Sequence, residues 1–155
     1  MTERPTPTVR PLTPADEPRW RELFRAYREF YRLEASEEVV SRTLSWLLDP
    51  AHECEALVAE VSGEVVGFAH HRRMPCPSLA TDVTFLDDLF TEPESRGAGV
   101  GRALIGRLTD LAHEQGRTFV QWATAADNLQ AQALYNTLAT RTSWVTYEAA
   151  PTVAA

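Results

Sequence analysis

Cysteine is scarce in this chain: Cys54 and Cys76 are the only two in 155 residues. Two are too few for a disulfide framework or a metal cluster, so both read as reduced, small apolar side chains and no metal is expected. A basic excess is also lacking. Fifteen Lys and Arg stand against 22 Asp and Glu, a net charge of −7. That excludes the basic face that nucleic-acid binding needs and suits a cationic partner better. No apolar run is long enough to span a membrane, so no membrane partner is expected. The opening stretch, Met1 to Pro7, has no secretory apolar segment; the cytoplasm is the expected location. Neither an internal repeat nor a low-complexity segment is visible. What is present is an ordinary globular mixture, 44% hydrophobic and 24% charged. One domain over 1–155 is expected, with 1–8 and 149–155 as loose tails.

Val9 to Leu12 reads as a short first strand. Thr13, Pro14 and Asp16 start a helix, with Asp16 before Pro18 as an equal alternative start. Trp20, Leu23, Phe24, Tyr27, Phe30 and Tyr31 recur at helical spacing, which carries that helix to about Arg32. Ser36 caps a second helix with a stripe of Val40, Leu44, Leu47 and Leu48, closed by Asp49 and Pro50. Residues 56–61 and 64–71 read as a hairpin about Ser62 and Gly63. Pro75, Pro77 and Ser78 mark a loop, and a long strand runs from Asp82 to Thr91. A helix from Val100 to about Gln115, a strand from Phe119 to Thr124, a helix from Leu129 to about Thr140 and a last strand at Trp144–Tyr147 complete the order. The strands that flank the middle helix are expected to be parallel, joined by a right-handed crossover.

The stretch from Asp87 to Arg102 is the richest in chemistry. A strand end, a sharp turn with Gly97, Gly99 and Gly101, and a helix start place open backbone N–H groups at the positive end of a helix dipole, a site for phosphate or pyrophosphate. Arg96 and Arg102 add charge at its rim. A P-loop requires a Lys after its last glycine, and none follows here. A dinucleotide fingerprint requires a third glycine where Arg102 or Leu104 stands.

The pattern that does occur, Arg96-x-x-Gly99-x-Gly101, resembles the acyl-coenzyme A pyrophosphate signature of the GNAT superfamily of N-acetyltransferases. Asp88-Leu89-Phe90-Thr91-x-Pro93-x-x-Arg96-Gly97 looks like the strand that runs into that signature. Asn128-x-x-Ala131-x-x-Leu134-Tyr135 is similar to the family's second motif. Together they cover roughly residues 56–148. One departure lies at Leu138, which is followed by Ala139 and Thr140 instead of the usual Gly-Phe. The stretch from Thr140 to Tyr147 is similar instead to the histone- and polyamine-acetylating subgroup.

The resemblance implies an α/β fold: a mixed, mostly antiparallel sheet with a central, splayed parallel strand pair and about four helices. It implies acetyl-coenzyme A as co-substrate and direct attack by a primary amine, a small polyamine-like molecule or a protein lysine. Backbone groups of Leu89, Phe90 and Thr91 then hold the acetyl and pantetheine portion. The amides of Gly97, Ala98, Gly99, Val100, Gly101 and Arg102, with Arg96, hold the pyrophosphate. Tyr135 protonates the leaving thiolate, and Asn128, Ala131 and Tyr135 share one helix face that lines the coenzyme, although Asn128 serves equally as a helix cap.

The general base is Asp87 or, as second choice, Asp88; strand alternation lets only one of them face the thioester. Thr84 and His71 are remote candidates, His70 and His71 read as polar residues of a sheet face, and His113 as solvated. Tyr27, Glu29, Phe30, Tyr31 and Glu34 either wall an ammonium pocket or, for the aromatics, fill the core. A non-catalytic acyl-coenzyme A-binding module is the alternative function, and Trp144–Tyr147 can supply an edge strand to a homodimer.

Overall fold

The computed structural model describes residues 3–153, so the outermost residues of both expected tails lie outside it. The chain forms two compact units, one up to Ala123 and one from Thr124.

In the first unit, β1 (Thr8–Pro11) leads through a tight turn at Pro14–Asp16 into α1 (Glu17–Phe30). Pro14 and Pro18 sit where a helical turn begins and a missing N–H leaves no bond unmade. Asp16 fixes this entry. It accepts from the Thr13 amide at 2.8 Å and from both Arg10 Nη atoms at 2.7 Å, while Arg10 also grips Glu60. Trp20, Leu23 and Phe24 are buried and Tyr27 packs beside them, but Phe30 and Tyr31 are exposed. The aromatic stripe therefore leaves the core in the last turn of α1. Ser36 Oγ accepts from the Val39 amide to cap α2 (Glu37–Leu48), which buries Val40 and Leu44.

The hairpin of β2 (Cys54–Val61) and β3 (Glu64–Cys76) turns on Ser62 and Gly63, both with positive φ, the geometry that matches strand twist. β3 runs through Pro75, where a loop was expected. Beyond Arg72 it pairs with β4 alone, and a proline is tolerated at such an edge. β4 (Thr81–Thr91), α3 (Val100–Glu114) and β5 (Val120–Trp122) complete the unit.

The five strands lie in chain order and are antiparallel except β4 with β5. The parallel pair, expected at the centre of the sheet, thus lies at its edge among the described strands. Phe68 meets Phe24 of α1, whereas a Cβ on Gly67 would point at Val100 and Leu104 of α3. Neighbouring strand residues face opposite ways, so α1 and α3 cover opposite faces. No described helix is long and apolar enough to cross a membrane.

The second unit holds α4 (Leu129–Leu138), capped by the Asn128 side chain on the Ala131 amide at 3.2 Å. The strand expected at Trp144–Tyr147 is not formed. Its β-branched and aromatic residues favour extended backbone, but no described strand pairs with it, and Trp144, Val145 and Tyr147 stand exposed.

Candidate active site

β4 is paired along both edges only in part. Its ladder with β5 ends at Leu86 opposite Trp122, while β4 continues five residues to Thr91. Its ladder with β3 is continuous except for one irregularity. His70 pairs with Asp88 and His71 with Leu86, which leaves Asp87 as an extra residue. Such a bulge bends the strand and increases its twist, and it sits one residue beyond the last β5 pair. Leu89, Phe90 and Thr91 follow, paired to Ala69, Phe68 and Gly67 on the β3 side.

The bulge overturns the expectation that strand alternation turns the two acids to opposite faces. Asp88 meets His70, and Asp87 meets Arg72 Nε at 3.1 Å. His70 and Arg72 are two apart on β3, so both carboxylates project on the face that α1 covers. Asp88 Oδ1 accepts from the Tyr27 hydroxyl at 2.6 Å and Oδ2 pairs with His70 Nδ1 at 2.8 Å; His70 Nε2 accepts from Trp20 Nε1 at 3.0 Å.

The two acids are pushed apart in acidity. Burial raises Asp87 above the ordinary carboxylate range, with Arg72 only partly offsetting it. Burial also acts on Asp88, but the hydrogen bonds from His70 and Tyr27 outweigh it and hold Asp88 below its usual value. Burial, then Asp88, raises the Tyr27 phenol. His71, on the opposite face, is pushed down to about 4 by burial, then by His70 and Arg117, and is neutral at pH 7.

The glycine turn is held from behind. The Glu92 amide bonds Val66 O at 2.9 Å, and its carboxylate takes Arg19 and the Ser95 hydroxyl. Gly97 and Gly99 adopt the left-handed conformation that glycine permits without strain. The Ala103 amide is the first to bond within α3, onto Gly99 O, so the amides of Val100 and Gly101 have no acceptor inside the helix. Arg96 bonds Thr91 O through Nε and lies 5.6 Å and 5.7 Å from the rings of Phe30 and Phe90.

The structure thus brings Asp87–Thr91, Arg96 and Gly97–Arg102 into one strand–turn–helix. Asn128, Ala131 and Tyr135 lie together along α4 in the second unit. Of the acceptor-wall candidates, Tyr27 reaches Asp88, while Phe30 and Tyr31 are exposed beside it. Three features escape a reading of the sequence: the bulge, the inward His70 with its indole partner, and Gly67. A Cβ on Gly67 would lie 2.8 Å from Phe90 O and 2.9 Å from Val100 Cγ1. The inward Phe68 signals His70 two residues on; nothing local signals the bulge.

A profile described as the acetyltransferase (GNAT) family matches residues 20–139. The chain is 31% identical over 142 residues to a D-amino-acid N-acetyltransferase, HPA3, of Saccharomyces cerevisiae, covering 90% of this chain and 88% of that protein. It is 30% identical over 132 residues to an aminoglycoside N(6')-acetyltransferase type 1 of Stenotrophomonas maltophilia, covering 83% and 82%. Among solved structures, a ribosomal-protein-alanine N-acetyltransferase from Brucella melitensis superposes with a TM-score of 0.80 at 23% identity, covering 94% and 99%.

Proposed function

The chain belongs to the acetyltransferase (GNAT) family and is an N-acetyltransferase, and on that premise we propose that it moves the acetyl group of acetyl-coenzyme A to a small primary amine within a ternary complex. The observation that carries the reading is the open stretch of β4 from Asp87 to Thr91, beyond the last β5 pair and running straight into the glycine turn. An extended ligand with amide groups binds such an edge as an added strand does, and the pyrophosphate takes the start of α3. Gly67 lets that helix start lie against β3 and β4.

The amine nitrogen attacks the thioester carbon and loses a proton to Asp87, directly or through water. Its raised pKa suits a base better than the lowered one of Asp88. Asp88, kept ionised, draws the ammonium form of the acceptor toward the aromatic face of Tyr27. The carbon–sulfur bond then breaks, and Tyr135 protonates the thiolate; this role is carried over from the family motif. We read residues 1–155 as one N-acetyltransferase domain, since the family match runs through both units. The names of the relatives point to small amines as acceptors.

Calorimetry with acetyl-coenzyme A tests the first half of the reading: absence of binding at millimolar ligand ends it. Free-thiol release with a D-amino acid, an aminoglycoside, putrescine and a lysine peptide tests the second half. Coenzyme binding with no release for any amine would instead favour a non-catalytic acyl-coenzyme A-binding module. Trp144–Tyr147, exposed and unpaired among the described strands, is read as a segment that pairs with a second copy; a monomeric sedimentation mass dismisses that.

A further inference from the structure

Trp20, His70, Asp88 and Tyr27 form a continuous chain of hydrogen bonds from the floor of the core to the face that carries both acids. Chemistry fixes the direction of each bond. An indole N–H only donates, so His70 Nε2 accepts it. The ring proton then lies on Nδ1, which donates to Asp88 Oδ2, and the Tyr27 hydroxyl donates to Oδ1. A second ring proton would have to sit on Nε2, facing the indole N–H. Packing removes the escape by rotation: Phe68 stacks on the imidazole at 4.4 Å, Phe24 meets it edge-on at 5.2 Å, and His70 is 4% exposed.

We propose that Trp20 and His70 are positioning residues of the acetyl-transfer site: the indole locks His70 as a neutral Nδ1–H donor, so that Asp88 stays an unneutralised carboxylate, fixed by both oxygens, for the acceptor ammonium. The inference rests on the acetyl-transfer reading and deepens it. An imidazolium in place of neutral His70 would cancel the charge of Asp88 and weaken the acceptor site. The titratable groups that act on His70 are Asp88 and Asp87 on β4 and His71 on β3, with Tyr27 of α1 on the far oxygen of Asp88 and Arg72 two residues along β3. Arg72 is engaged by Asp87, which leaves the tautomer of His70 to the indole.

Nitrogen-15 NMR of the histidine-labelled full chain tests the lock. His70 is expected to carry its proton on Nδ1 and to leave Nε2 unprotonated as the acceptor of the Trp20 indole N–H. In Trp20→Phe the Nε2 nitrogen is expected to lose its hydrogen bond, read as a shift of its resonance toward that of a free acceptor nitrogen. A wild-type His70 that is protonated on Nε2, or whose Nε2 resonance is unmoved in Trp20→Phe, overturns the lock.

Steady-state acetylation of putrescine tests the positioning. His70→Asn still offers an amide N–H to Asp88, and its acceptor KM is expected to stay within about twofold. His70→Leu offers none, and its acceptor KM is expected to rise about tenfold or more with kcat little changed. Coenzyme binding by calorimetry verifies that each variant is folded. Equal KM values for the two variants, both binding coenzyme, overturn the proposal. If the wild type acetylates no amine, the acetyl-transfer reading fails and the positioning role with it. A failed NMR signature in an active enzyme overturns this inference alone.

Discussion

Asp87 and Asp88 are adjacent, chemically identical and shifted in opposite directions. Burial is the largest influence on each, but Asp87 is offset chiefly by Arg72, whereas Asp88 has two donors, one on each oxygen. Ionised Asp87 is therefore disfavoured by folding and ionised Asp88 is favoured. Asp87→Asn is expected to leave the melting temperature unchanged or slightly raised, while kcat falls by about 100-fold or more as base catalysis is lost. Asp88→Asn sets an amide N–H against the donors of His70 and Tyr27 and is expected to lower stability by about 1–3 kcal/mol. Denaturant melts and thiol-release rates on the two variants check the contrast. If Asp87 is the base, the wild-type rate falls as pH drops through its raised value, and a midpoint in the ordinary carboxylate range contradicts the assignment. Tyr135→Phe is expected to lower kcat by about 100-fold with coenzyme affinity little changed; unchanged turnover removes Tyr135 from the donor role. Both acids were legible in the sequence from the motif that follows them. Their division of labour was not, because it depends on residues 15 and more positions away in the chain.

At the scale of elements, the sequence shows helices and hairpins well because each is set by local spacing. The stripe of α2, its Ser36 cap and the two-residue turn between β2 and β3 all lie where periodicity puts them. The failures are instructive in the same terms. Trp144–Tyr147 has strand composition without a strand partner, and pairing is not a local property. Pro75 signals a loop, but an edge position makes it harmless. Gly67 sits mid-strand with an ordinary φ, and only the approach of Phe90 O and Val100 reveals why no side chain fits. Gly67→Ala is expected to cost about 1–3 kcal/mol by overpacking and to push the start of α3 outward. Weaker coenzyme binding measured by calorimetry, in excess of the change seen for Gly63→Ala at the exposed hairpin turn, checks it.

For the whole first unit, acid stability follows from two buried groups. Asp16, held by Arg10 first and then by Thr13, has its carboxyl lowered to about 2. Its ordinary value is about 3.9, so its contribution is present above about pH 4 and is lost as pH falls toward 2. His71 is lowered to about 4 by burial, then by His70 and Arg117. The unfolded chain takes up that proton near pH 6.5 and the folded chain does not, so stability also falls from about pH 6.5 to 4. Both effects have the same sign. The melting temperature is expected to decline in two stages, the upper stage vanishing in His71→Gln; a single stage below pH 4 in the wild type contradicts it.

The bulge at Asp87 has a consequence for insertions and deletions. In a regular strand, removing one residue turns every side chain beyond it to the other face. Here Leu86 already pairs with His71 and Asp88 with His70. Excising Asp87 therefore joins two correctly counted halves into one uninterrupted ladder. The shortened chain is expected to fold with a melting temperature near that of the parent, its outer and inner faces intact, while losing one of its two acids and the bend that parts β4 from β5. Length at this position is thus set by chemistry and not by packing. A folded, inactive deletion variant with weakened coenzyme binding is the outcome that bears this out, and an unfolded one refutes it.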